Sequence, residues 1–129
     1  MSEQLDSRPK ILVVDDDKRH LAIVSALLES EGFAVATAEN ARQAVAQQAD
    51  WRPALIIMDI MMPEFDGFQA TWGFRQLNES LPILVLSAKT APEDMADGRD
   101  WGATRYMTKP FDPDELIATV RELLANPGT

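Results

Sequence analysis

Short apolar runs that end on polar residues are the feature that most constrains the fold of this chain. Ile11–Val14 precedes three consecutive aspartates, Leu55–Met58 precedes Asp59, and Ile83–Leu86 precedes Ser87. Such runs of Val, Ile and Leu are typical of strands buried on both faces, as in a parallel sheet covered by helices. Ligands bind these open sheets just beyond the carboxyl ends of the strands. The sequence therefore predicts an α/β fold with polar groups collected at one edge of a sheet.

Segments with helical spacing of apolar residues separate the predicted strands. A weaker fifth strand leads into Lys109 and Pro110, Asn40 is predicted to cap the second helix, and Gly32 is predicted to end the first. Five strands alternating with five helices indicate a parallel sheet with right-handed crossovers. The predicted elements are strand 10–14, helix 18–30, strand 33–37, helix 40–49, strand 54–58, helix 68–77, a strand from residue 82, helix 92–102, strand 104–107 and a helix from residue 113.

Length and composition limit the classes of function. The 129 residues fit one domain, and the absence of cysteine excludes disulfides and thiolate metal sites and is compatible with a reducing cytoplasm. No apolar stretch approaches the ~20 residues of a membrane span, and the polar N-terminus lacks a signal core. A net charge of -9 disfavours direct contact with nucleic acid. We expect a cytoplasmic domain over residues 10–125, a flexible tail at 1–9, and a tail or truncated linker at 126–129.

The acidic residues after the first and third strands predict a magnesium site. Neighbouring carboxylates are costly unless a cation neutralises them, and Mg²⁺ prefers oxygen ligands while keeping several waters. We expect Asp16 and Asp59 to be direct ligands, with Asp15 acting through a water. Asp17 is predicted to serve as a helix cap.

Asp59 is the candidate nucleophile. A carboxylate is ionised at neutral pH and can attack phosphorus to form an acyl phosphate. That attack needs neutralisation of charge on the phosphoryl group, which Mg²⁺ and the ammonium of Lys109 can supply. The hydroxyl of Ser87 can donate to a phosphoryl oxygen once the group is attached.

Four stretches together resemble the receiver domains of bacterial two-component response regulators. They occur in the family's order and spacing over nearly the whole chain. The resemblance implies a flavodoxin-like, doubly wound sheet of five parallel strands in the order 2-1-3-4-5 with five helices. The matching stretches are Lys10–Asp17, Leu55–Gly67, Leu86–Ala88 and Gly102–Phe111.

The resemblance implies a role for each residue of the site. Asp59 would accept a phosphoryl group from a phosphohistidine on a sensor kinase or a histidine phosphotransfer protein. Asp15 and Asp16 would hold Mg²⁺, with the Met61 carbonyl as a further ligand, and Lys109 would pair with the phosphoryl group. The domain would catalyse its own phosphorylation and dephosphorylation without being a turnover enzyme.

The resemblance also implies a switch. Ser87 would move toward the phosphoryl group, Tyr106 would swing inward, and the peptide bond before Pro110 would be cis. The surface of the fourth predicted helix, the fifth strand and the last helix would then change and bind a protein partner or an attached output domain. A homodimer through that surface is left open, as are the cognate kinase, the output and the roles of Trp72 and Trp101.

Three other functions share some of these sequence features. A phosphatase of the haloacid dehalogenase family shares an aspartyl nucleophile, but this chain has Arg19 at a position where that family has Thr or Val. A flavodoxin-type electron carrier is rejected because three aspartates would repel its phosphate. A phosphorylation-independent interaction module stays open. The single histidine, His20, is expected at a solvated position on the first helix.

Overall fold

The computed structural model describes residues 8–59, 73–76, 80–87, 104–108 and 111–125, and for Asp59 and Ser87 only the backbone. It contains one five-stranded sheet in the order β2-β1-β3-β4-β5, in which every neighbouring pair is parallel. The predicted doubly wound sheet and its strand order are confirmed. The elements are β1 Lys10–Val14, α1 Lys18–Ser30, β2 Ala34–Ala38, α2 Ala41–Trp51, β3 Leu55–Asp59, β4 Ile83–Ser87, β5 Arg105–Thr108 and α3 Pro113–Ala125.

Two of the five predicted helices fall partly or wholly outside the described residues. Residues 73–76 are helical and belong to the predicted helix 68–77. The predicted helix 92–102 and both predicted tails, apart from residues 8 and 9, lie outside the described ranges. Of the five predicted helices, α1, α2 and α3 are thus seen with both ends.

Alternate residues of the strands enter two separate apolar cores. On one face of the sheet, Ile11 and Ile57 pack with buried residues of α1 and α3. On the other face, Leu12 and Ile56 pack with Ala44 of α2 and with Phe74 of the 73–76 helix. Both faces of the central strands are therefore covered, which is why their sequences are apolar at every position rather than at alternate positions.

Helix α1 ends where the sequence predicted, in a backbone motif that requires glycine. Gly32 has a φ of +92°. Its N–H donates to the Glu29 carbonyl at 3.1 Å, and the N–H of Phe33 donates to the Leu28 carbonyl at 3.2 Å. This pair of bonds is a Schellman motif, and the apolar residues at its two ends lie in the same core. Because Phe33 is part of the motif, β2 begins one residue later than predicted.

Helix α2 is capped by Asn40 as predicted but extends two residues beyond the predicted end at residue 49. The Asn40 side chain accepts a hydrogen bond from the N–H of Gln43 at 2.9 Å. At the other end Arg52 adopts a left-handed conformation with φ of 53°. The extension carries Trp51 to β1, where the Lys10 ammonium lies 5.6 Å from the ring centroid and donates to the Trp51 carbonyl at 3.2 Å.

The buried residue Gln48 and the half-buried residue Arg75 connect the 73–76 helix to the rest of the fold. The Gln48 amide nitrogen donates to the Phe74 carbonyl at 3.0 Å. Arg75 donates to the Leu81 carbonyl and, at 3.4 Å, to the Thr104 hydroxyl, so it links this helix to the residues before β4 and β5. Burial lowers the pKa of the Arg75 guanidinium below its ordinary value. These contacts lie at the amino ends of the strands, away from the predicted site.

Candidate functional site

The strand pairings determine which acidic residues lie together at the carboxyl edge of the sheet. Val14 of β1 pairs with Met58 of β3. Asp15 and Asp59 are the residues that follow, so their backbones occupy neighbouring positions at the end of two adjacent central strands. The sheet therefore brings together two acidic positions that are 44 residues apart in the sequence, as the sequence predicted.

Asp15 is a buried carboxylate with defined hydrogen-bond donors. Its backbone N–H donates to the Ala38 carbonyl at 3.0 Å, which extends the pairing of β1 with β2 by one step. Its side chain is 3% exposed. One carboxylate oxygen, Oδ1, accepts from the N–H of Asp17 at 2.9 Å, and the other, Oδ2, contacts Nδ1 of His20. A buried carboxylate needs such partners because burial without them disfavours the ionised form.

The other two aspartates after β1 differ from Asp15 in environment and in role. Asp16 is exposed, which leaves its carboxylate accessible to an ion. Asp17 is the N-cap of α1, and its Oδ1 accepts from the N–H groups of Arg19 at 2.9 Å and His20 at 3.3 Å. The prediction that Asp17 caps the helix is confirmed.

His20 does not have the solvated position predicted for it. Its side chain is 22% exposed, and Nδ1 contacts the carboxylate of Asp15. Its ring also lies against Phe111, with centroids 6.3 Å apart and planes at 53°. The prediction was wrong because the imidazole lies over the end of β1, a position set by how α1 packs on the sheet rather than by helical spacing.

The remaining predicted site residues lie at the end of β4 or follow β3 and β5 in the sequence. Ser87 ends β4, and its backbone pairs with Thr108, the last residue of β5. Lys109 follows directly in the sequence but lies, with Met61 and Pro110, outside the described residues. The metal contact of Met61, the phosphoryl contact of Lys109 and the peptide isomer before Pro110 therefore stay predictions.

Tyr106 and the ion pair beside it belong to the predicted output surface. Tyr106 lies on β5, is half-buried, and packs against the core on the α2 side of the sheet. The neighbouring Arg105 forms an ion pair with Glu122 of α3, so β5 and α3 are linked across this surface. The inward movement of Tyr106 stays a prediction, and Trp72 and Trp101 lie outside the described residues.

The donor chemistry of the site fits Mg²⁺. Asp15 and Asp16 supply carboxylate oxygens, and the backbone places Asp59 beside them. Within the described part of the chain, no group of three or more His, Asp or Glu residues forms a metal cluster. The predicted ligand set extends beyond that part, since it includes the Asp59 side chain and the Met61 carbonyl. Oxygen donors on a chain with a net charge of -9 favour a hard divalent cation.

Comparison with known proteins identifies the family. Residues 11–121 match the response regulator receiver domain. The chain belongs to this family. The resemblance inferred from the sequence is confirmed, and the receiver domain family is regulatory rather than a class of turnover enzymes. In the described ranges, no helix is long and apolar enough to cross a membrane.

Individual relatives agree with this assignment. Transcriptional regulatory protein PrrA of Mycobacterium tuberculosis is 39% identical over 121 residues, which are 94% of this chain and 52% of PrrA. Protein PilH of Pseudomonas aeruginosa is 36% identical over 90% of this chain and 98% of PilH. Vibrio cholerae chemotaxis protein CheY4 is 35% identical with a TM-score of 0.84, covering 90% of this chain and 98% of CheY4. The receiver domain thus spans about half of PrrA and nearly all of PilH.

Proposed function

We propose that this receiver domain accepts a phosphoryl group on Asp59 from a phosphohistidine of a sensor kinase or a histidine phosphotransfer protein in the cytoplasm. The observation that carries the proposal is the register of β1 and β3. This register sets the backbone of Asp59 next to that of Asp15, whose carboxylate is buried, at the edge of the sheet where open α/β folds bind ligands.

In the transfer, a carboxylate oxygen of Asp59 attacks phosphorus and forms an O–P bond. The P–N bond to the donor imidazole breaks, and its electron pair stays on the leaving nitrogen, which takes up a proton. The product is an acyl phosphate, whose later hydrolysis by water returns the free carboxylate and inorganic phosphate. The ammonium of Lys109 and the hydroxyl of Ser87 act on the phosphoryl oxygens, where charge is concentrated.

Acidic residues after β1 and at the end of β3 would bind the metal ion that this chemistry needs. Asp15, Asp16 and Asp59 would hold Mg²⁺ together with the Met61 carbonyl. When bound, the ion supplies positive charge to a phosphoryl group that three carboxylates would otherwise repel. Asp17 does not belong to this set, because its carboxylate is occupied with the first turn of α1.

The output of phosphorylation is a change in the surface that includes β5 and α3. The new dianion attracts Ser87, and Tyr106 packs in one of two arrangements that depend on where Ser87 lies. The two arrangements present different surfaces to a protein partner, an output domain or a second copy of the chain. To move the equilibrium from almost entirely one arrangement to almost entirely the other, the phosphoryl group must favour the second arrangement by about 5.5 kcal/mol.

Intact mass spectrometry after incubation with acetyl phosphate and Mg²⁺ tests the proposal. We expect the mass of one phosphoryl group to be added, and both Asp59→Asn and removal of Mg²⁺ to abolish the addition. Asp50→Asn is the matched control, because Asp50 is an exposed aspartate on α2. It should leave the modification unchanged.

Two results would contradict the proposal. The first is modification that persists in the Asp59→Asn variant, which would place the acceptor elsewhere. The second is a protein that binds Mg²⁺ but accepts no phosphoryl group from acetyl phosphate or from a phosphohistidine protein. That result would favour the phosphorylation-independent interaction module.

A further inference from the structure

His20 contacts the metal site without belonging to the set of residues that would bind the metal. It is the third residue of α1, and its Nδ1 lies against Oδ2 of Asp15. An ionised carboxylate only accepts hydrogen bonds, so Nδ1 carries the proton in this contact. The other carboxylate oxygen accepts from the N–H of Asp17. Two donors from the start of α1 therefore orient the Asp15 carboxylate.

The surroundings of His20 keep its ring in place. The ring packs at a tilted angle against Phe111, which itself packs against the core on the α1 side of the sheet. Most of the imidazole is buried, so it samples fewer orientations than an exposed histidine would. The donor at Nδ1 is thus fixed relative to the end of β1.

We propose that His20 is a positioning residue that orients the Asp15 carboxylate for Mg²⁺. The inference rests on the proposed function, because it assumes that Asp15 takes part in holding the metal. Hydrogen bonds to a ligating carboxylate fix its orientation before the metal binds, and their loss weakens metal affinity by about 10- to 100-fold. His20 itself touches neither the metal nor the phosphoryl group.

Two substitutions of His20 distinguish the effect of its Nδ1–H hydrogen bond from the effect of its ring packing. His20→Asn places an amide N–H near the position of Nδ1 and loses the ring that faces Phe111. His20→Phe keeps an aromatic ring there and loses the donor. If the hydrogen bond to Asp15 is what matters, the asparagine variant retains Mg²⁺ affinity and the phenylalanine variant does not. A purely structural role of the ring predicts the reverse order.

The experiment is a Mg²⁺ titration of the metal-free protein by isothermal calorimetry and by amide NMR spectra. The Asp17 amide is a suitable reporter because it donates to Asp15. We expect the dissociation constant to rise about tenfold in His20→Phe and to stay within about threefold of the original in His20→Asn. His20→Leu replaces His20→Phe if the latter does not fold.

The outcomes separate this inference from the proposed function. Unchanged or tighter Mg²⁺ binding in the variants without the donor would overturn the role of His20 and leave the phosphoacceptor proposal intact. Equal weakening in all variants would also overturn it, because the asparagine would then not have rescued binding. If the original protein bound no Mg²⁺ in the same titration, the metal requirement of the proposed function would fail together with the inference.

Discussion

Substituting the three consecutive aspartates one at a time should show that they have different roles. Asp17 should contribute to stability, whereas its neighbours should contribute to Mg²⁺ binding. Asp17 caps α1 with a carboxylate that accepts from the N–H groups of Arg19 and His20. Removing such a cap costs about 1 kcal/mol, and removing the negative charge from a helix N-terminus costs about 0.5 kcal/mol more. We expect Asp17→Ala to lower the free energy of unfolding by about 1.5 kcal/mol. Asp17→Asn keeps the acceptor and should lose only about 0.5 kcal/mol.

Urea denaturation in EDTA measures this difference without any contribution from bound metal. For a domain of this size, a loss of about 1.5 kcal/mol corresponds to a decrease of roughly 6 °C in the melting temperature. A Mg²⁺ titration of the same variants gives the second half of the test. Asp17→Asn should bind Mg²⁺ as the original protein does, whereas Asp16→Asn, at an exposed position beside it, should lose most of its affinity.

Two results would refute the assignment. If Asp17→Ala were as stable as the original protein, the cap would contribute nothing to the stability of α1. If Asp17→Asn lost Mg²⁺ affinity to the same extent as Asp16→Asn, Asp17 would be a metal ligand, and the division of roles among the aspartates would be wrong.

Three further predictions concern stability. Gly32→Ala should lower the free energy of unfolding, measured by urea denaturation, by about 1–2 kcal/mol. The reason is backbone strain, because a residue with a Cβ rarely adopts a φ of +92°, and not a steric clash, because no atom lies within 4 Å of the added Cβ. A neutral effect would contradict that strain. Ile56→Ala should cost about 2–5 kcal/mol in the same assay, since it leaves a cavity in a fully buried strand; a loss below about 1 kcal/mol would show that the site collapses. Arg105→Gln should change the melting temperature by less than about 4 °C, because its ion pair with Glu122 is exposed; a larger shift would indicate a stronger pair.

Local sequence signals predicted the elements and several of their ends. Asp17 and Asn40 were recognised as caps because a short polar side chain can accept from the N–H groups of the next turn. Gly32 was recognised as a stop because only glycine adopts the required φ without strain. In each case the partners lie within five residues, so the sequence contains the whole interaction.

Contacts between distant segments were not predictable in this way. Arg75 reaches Thr104 across 29 residues. Gln48, which the sequence did not single out, is buried because α2 faces the 73–76 helix. Neither residue has a signal in its own neighbourhood, since the partner is brought close only by the packing of two helices and two strand ends.

The candidate site, too, was predictable from the sequence only in part. The apolar runs and the polar residues that end them determined that the chain forms a parallel sheet and that Asp15, Asp59 and Ser87 lie at the carboxyl ends of its strands. Alternation of strands and helices did not determine which strands are neighbours, so the order 2-1-3-4-5 came from resemblance and was confirmed by the pairings.

Only the tertiary structure decided which side chains touch at that edge. The packing of α1 on the sheet buries Asp15 and places His20 against its carboxylate, whereas helical spacing alone predicted an exposed histidine. The physical reason is the range of the interactions. Apolar periodicity and capping act within one element and can be read from adjacent residues, but the contact of a helical side chain with the end of a strand depends on how the two elements are rotated and packed.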